Sequence, residues 1–120
     1  MQPEDRDPSY LWDMRTYCER LARIVEGREF ADFGPESELR LAVERLIEIV
    51  GEAARRVSEA FKHAHPEIPW AQIIAQRNAI AHQYDAIDYG EVWRTATVSA
   101  RELVALLDPL IPPQPDTEAR

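Results

Sequence analysis

Between Leu11 and Leu107 the apolar residues recur every three or four positions, and no stretch alternates as a half-buried strand would. This period predicts helices. The first is expected from about Pro8 to Glu26, with Leu11, Met14, Cys18, Leu21 and Val25 on one face. Pro8 suits its opening turn, where a missing N–H costs nothing, and Gly27 stops it. The segment from Gly27 to Pro35 reads as a connector, with Phe30 and Phe33 as apolar plugs and Gly34-Pro35 as a break.

A long second helix is expected from about Glu36 to Lys62, because Leu39, Val43, Leu46, Val50, Ala53, Val57 and Ala60 keep a four-three spacing. Ile47, Ala54 and Phe61 widen that stripe, which suits an element touching more than one neighbour. After the turn His63 to Pro69, Trp70, Ile73, Ile74 and Ile80 mark a third helix, about Pro69 to His82. Asp88-x-x-Glu91 has the form of a helix cap. It leads into a fourth helix through about Leu107, with Val92, Ala96, Ser99, Leu103, Leu107 and Leu110 on its stripe and Trp93 beside it. Pro109, Pro112, Pro113 and Pro115 end it. The expectation is an all-α antiparallel bundle of four main helices, one domain over residues 1–120, with flexible tails at 1–8 and 111–120.

The composition adds limits to this picture. A chain of 120 residues that is 45% hydrophobic and 30% charged can bury a core without staples. No apolar run is long enough to span a bilayer, and the first eight residues do not read as a secretory signal, so the expected location is the cytoplasm. Cys18, alone and on the apolar stripe, reads as a small buried hydrophobe. A formal charge of −8 argues against general electrostatic coating of nucleic acid but leaves room for a small basic cleft on an acidic body.

Chemistry concentrates in Gln76-Arg77-Asn78-Ala79-Ile80-Ala81-His82-Gln83-Tyr84-Asp85. On a helix Asn78 and His82 stack at four-residue spacing, whereas the Arg77 and His82 directions differ by about 140°. Either the helix loosens near His82, or a second copy of the segment completes the site. Arg77 or His82 alone would be an ordinary surface arginine or helix-end histidine. Together with Asn78 and Tyr84 they supply an imidazole for proton transfer and a fixed cation for charge developing on a phosphoryl oxygen. His63 and His65 read as exposed polar residues closing a helix, and neither His-Glu-x-x-His nor paired Glu-x-x-His is present, so no metal or cofactor is expected. Glu44 and Glu48 read as a solvated face, continued by Arg55 and Arg56. Glu52 stands apart because Gly51, next to it, is a helical glycine of the kind that marks a close approach by another element.

Arg77-Asn78-x-x-x-His82-x-Tyr84 resembles the Arg-x4-His-x-Tyr signature of HepT-like proteins, a branch of the HEPN superfamily. The likeness extends through Leu46-Ile47-Glu48-Ile49-Val50-Gly51-Glu52-Ala53-Ala54, His65-Pro66-Glu67-Ile68-Pro69-Trp70, and Ile87-Asp88 to Val92-Trp93. It covers the chain from about Ser9 to Leu107. Gln83 stands where many relatives carry glycine.

The resemblance implies a HEPN-like helical homodimer with both motif segments facing one cleft. It also implies a metal-independent endoribonuclease, the toxin of a toxin–antitoxin pair acting on RNA. Arg77 and His82 would then be catalytic, with Asn78 in support. Tyr84 would bind substrate and would also be the acceptor of AMP from an MntA-like nucleotidyltransferase antitoxin, with which the toxin forms a hetero-oligomer. The competing expectation is a non-catalytic helical dimerisation module that binds a nucleotide or a protein, a reading the acidic charge favours.

Overall fold

Why the predicted helices form, and where they break, is visible in a computed structural model of the chain, which describes residues 2–82 and 87–113. Among these residues there are helices and no strands, as an all-α bundle requires. Helix α1 is Asp7–Ile24, α2 is Glu38–Arg56, α3 is Glu59–Ala64 and α4 is Trp70–Ala81. Helix α5 (Tyr89–Arg94) and α6 (Ala100–Leu107) are joined without a break through a π-helical turn, Thr95–Ser99. Helix α2 is the central element, packed on α1 at one side and α4 at another, and α1 also packs on α6.

The core is the one the periodicity outlines. Leu11, Met14, Cys18, Leu21 and Val25 of the first stripe are buried, as are Leu39, Val43, Leu46, Ile47, Val50, Ala53, Ala54 and Val57 of the second. Val92, Ala96, Leu103 and Leu107 join them, with Ala100 buried where Ser99 had been expected. Burial of a side chain of this size stabilises by about 1.5–3 kcal/mol each before conformational entropy is counted.

The long helix expected over 36–62 is two helices. Val57 is extended, with φ −61° and ψ 141°, and Ser58 caps α3 by accepting the Phe61 N–H at 3.2 Å. A serine that can cap a new start competes with continuation of the old helix. The break is fixed from outside by Asp7. Its buried carboxylate accepts the Ser58 N–H at 2.8 Å and the Ser58 hydroxyl at 2.6 Å. Ala60, expected on the apolar stripe, is therefore exposed.

The same contact changes the picture at the N-terminus. Residues expected as a tail form a 3-10 turn, Pro3–Arg6, in which the Asp5 carboxylate accepts the Gln2 N–H at 3.0 Å, and the start of α1, where Asp7 is anchored to Ser58. Of the tails expected at 1–8 and 111–120, residue 1 and residues 114–120 lie outside the described residues.

The connector is held by Arg40. Its guanidinium donates twice to the Phe33 carbonyl, at 3.1 and 2.6 Å, and lies over the Phe33 and Tyr89 rings at 4.7 and 3.9 Å. Phe33 is buried, whereas Phe30, the other expected plug, is half exposed at the edge of Phe33 and Trp93. Gly27 closes α1 with φ +74°, a conformation that side chains other than glycine resist.

Asp88 caps α5 as anticipated, accepting the Gly90 and Glu91 N–H groups. The π-helical turn was not anticipated. There the Thr95 and Thr97 hydroxyls donate to the Glu91 and Trp93 carbonyls one turn back, a local competition with the helical ladder.

Candidate functional site

Helix α4 carries the polar residues singled out in the sequence, and its place against α2 decides where each one points. Arg77 lies over Gly51. A Cβ built on Gly51 would overlap Arg77 Cβ, fall 2.6 Å from Arg77 Cγ and 3.4 Å from the Ile73 carbonyl oxygen. Only a residue without a side chain lets α4 come this near, so the absent methyl at 51 is the seat of the Arg77 stem.

The Arg77 head is held at two of its nitrogens. Nη1 donates to Asn78 Oδ1 at 2.9 Å, and Nη2 faces Glu52 Oε1 at 3.4 Å. Nε is buried and has no hydrogen-bond partner. The side chain retains 25% of its exposure, so its outer edge is open to solvent. Beside it runs a surface groove lined by Tyr10 and Asp13 of α1, Arg45, Glu48 and Arg56 of α2, and Arg77 itself.

Glu52 gathers more than Arg77. It accepts a forked pair from Arg55 Nε and Nη2 at 3.0 and 2.8 Å, and another hydrogen bond from Arg56 Nε at 2.9 Å. Hydrogen bonds from Arg55 and then Arg56 pull the carboxyl pKa from its ordinary 4.5 down to about 2, and the charges of Arg55 and Arg77 add to the effect. Three guanidiniums thus surround one carboxylate, a local cationic cluster on a chain of net charge −8. Sequence reasoning set Glu52 apart from the solvated face of Glu44 and Glu48 but assigned it neither its Arg55 and Arg56 partners nor the link to Arg77. The Gly51-Glu52 pair inside a helix was the available signal.

His82 is the C-cap of α4. Its backbone N–H reaches the Asn78 carbonyl at 3.0 Å, so the helical ladder continues up to it, and its side chain is exposed. Arg77, by contrast, turns inward to α2. The structure brings Arg77, Asn78 and Glu52 together and places His82 at the helix tip. Gln83, Tyr84 and Asp85 lie outside the described residues. Gln76 takes part in a separate crevice, with Gln72, Glu91, Thr95 and Ser99.

His63 is exposed, as expected. His65 is half buried instead: its ring packs 4.3 Å from Phe61, Nδ1 lies 3.2 Å from Glu67 Oε2, and its carbonyl accepts the Trp70 indole N–H at 3.0 Å. Among the described residues no three His, Cys, Asp or Glu side chains are gathered in a way that could hold a metal ion. No helix among them is long and apolar enough to cross a membrane.

An all-α bundle with this polar helix end defines a class, and comparison with known proteins gives it a family. Residues 14–110 match the family described as Ribonuclease HepT-like, and the chain belongs to that family. A protein of Thermococcus cleftensis named as a probable ribonuclease HepT is 34% identical over 86 residues, covering 72% of this chain and 78% of that one. An RNase-named protein of Caldanaerobacter subterraneus subsp. tengcongensis is 33% identical over 94 residues, 78% of this chain and 84% of its own. Another, from Methanocaldococcus jannaschii, is 27% identical over 95 residues, 79% and 78% of the two chains. No solved structure matches the chain.

Proposed function

We propose that this HepT-like chain is a metal-independent endoribonuclease toxin that acts as a homodimer, with Arg77 and His82 as catalytic residues and Asn78 and Tyr84 in support. The observation that carries this reading is the seating of Arg77. Its guanidinium is held by Asn78 and Glu52 with an open outer edge, while an imidazole stands at the end of the same helix. Continuation of the helical ladder to His82 supports a site completed by a second copy, since one regular helix directs the two groups about 140° apart.

In the reaction the ribose 2′-oxygen bonds to the adjacent phosphorus and the bond from phosphorus to the 5′-oxygen breaks. One His82 takes the 2′-hydroxyl proton, and the leaving 5′-oxygen takes a proton from water. Arg77 stabilises the charge that grows on the phosphoryl oxygens, a role worth on the order of 3–4 kcal/mol in barrier. Tyr84 follows His82 closely enough in sequence to reach the same phosphate. Its adenylation by an MntA-like nucleotidyltransferase would fill that place with bulk and negative charge and so silence the toxin.

The test is cleavage of a short RNA by purified protein with a metal chelator present. Activity should persist there, vanish on 2′-deoxy substrate and fall at least a hundredfold in Arg77→Ala and His82→Ala. Wild-type rates in both variants would overturn the assignment. Intact mass after co-expression with a nucleotidyltransferase should rise by one adenylate, and should not rise in Tyr84→Phe.

A further inference from the structure

Glu52 has two sets of partners with different meanings. Arg55 and Arg56 lie three and four residues along its own helix, where such pairs are common and worth a few tenths of a kcal/mol. Arg77 comes from another helix, and its approach depends on the glycine that precedes Glu52.

We infer that Glu52 is a positioning residue for Arg77, its carboxylate fixing the plane of the guanidinium so that the remaining N–H groups face substrate phosphate; this rests on the nuclease reading above. An arginine head has five N–H donors in a fixed fork. In Arg77 one donor is spent on Asn78 Oδ1, Nε–H is buried, and Nη2 is ion-paired with Glu52 at 3.4 Å. Donors remain on both Nη atoms, the pair with which an arginine grips two oxygens of a phosphodiester.

Glu52 is not itself a proton carrier in this scheme. Its oxygens already receive three hydrogen bonds from Arg55 and Arg56, which hold it as the carboxylate. Nor does Asn78 alone suffice to hold Arg77, since it restrains only Nη1 and is the neighbouring residue on the same helix. The cross-helix contact is what ties the guanidinium to the α2 frame. The neighbouring Gly51 and Glu52 thus divide the task, the first admitting the stem of Arg77 and the second orienting its head.

The experiment is a double-mutant cycle on RNA cleavage with Glu52→Gln and Arg77→Lys, together with thermal unfolding. Glu52→Gln should lower kcat about tenfold, with KM within about twofold and the melting temperature nearly unchanged. On the Arg77→Lys background the same change should cost less than about twofold, because a lysine ammonium has no plane to orient. An equal tenfold loss on both backgrounds, or a lowered melting temperature with unchanged kcat, would overturn the inference.

A readout without RNA separates this inference from the nuclease reading. In ¹⁵N spectra of the arginine side chains, restricted Arg77 motion in wild type should be lost in Glu52→Gln. If wild-type protein cleaves no RNA, the nuclease reading fails, and these spectra still decide whether Glu52 anchors Arg77. Cleavage that Arg77→Ala abolishes and Glu52→Gln leaves untouched would sink the Glu52 role alone.

Discussion

Gly51 on α2 and the Arg77 stem on α4 share one volume: a Cβ at 51 would overlap Arg77 Cβ and lie 2.6 Å from Cγ. The atoms in the way are the base of the side chain, which move only with the α4 backbone. Gly51→Ala gains about 0.5–1 kcal/mol of helix propensity but meets an overpacking cost of about 1–3 kcal/mol. The expected result is a net loss of roughly 1–2 kcal/mol in urea unfolding, with RNA cleavage reduced more than tenfold because Arg77 is displaced. Unchanged stability and activity would show that α4 shifts freely.

A site divided between two copies can be tested by mixing. Arg77→Ala and His82→Ala chains, each inactive alone, should recover a substantial part of wild-type cleavage when co-refolded. Their heterodimer keeps one Arg77 on one copy and one His82 on the other. Recovery confined to background would place both groups of a working pair on the same chain.

The Asp7 carboxylate should matter for stability and not for chemistry. In Asp7→Ala two buried donors of Ser58 lose their acceptor, at a cost of about 1–3 kcal/mol. Chemical denaturation should show that loss, while cleavage by the folded fraction stays near wild type.

Burial, with the charge of Glu19 adding, pushes the Cys18 thiol up to about 12. The thiolate is the reactive form, so native protein at pH 8 should be inert to a disulfide reagent and should react fully once unfolded. Rapid labelling without denaturant would mean that α1 opens from the core.

Glu52 sets a pH dependence with a definite sign. Its folded pKa, near 2, lies below its ordinary value, so its share of stability is complete above about pH 4.5 and is lost as the pH falls toward 2. Its arginine partners are half exposed, which limits the effect to about 0.2–1 kcal/mol. The melting-temperature gap between wild type and Glu52→Gln should therefore be small at pH 6 and should close between pH 4.5 and pH 2. A gap that widened with acid would reverse the assignment.

The apolar period made α1 legible, because there the buried stripe and the helix coincide; in α4 only Trp70 and Ile80 of the expected stripe are buried, and across the π-helical turn burial moves from Ser99 to Ala100. It failed at Val57-Ser58. There the stripe continues through the break, and the deciding contact comes from Asp7, 51 residues away. No local pattern encodes such a partner.

The candidate site was legible in the same uneven way. Arg77, Asn78 and His82 were marked by type and spacing, and the Gly51 anomaly pointed to a close approach. The contact of Arg77 with Glu52 depends on how two helices pack, which a one-dimensional pattern does not hold.

Helix α4 remains regular to its end, and this has a consequence for control. Positions five apart on one regular helix point about 140° apart, so under the proposed pairing the potency of a solitary chain is a matter of abundance. Dilution below the dissociation constant of the two copies would disarm the molecule while leaving every helix intact.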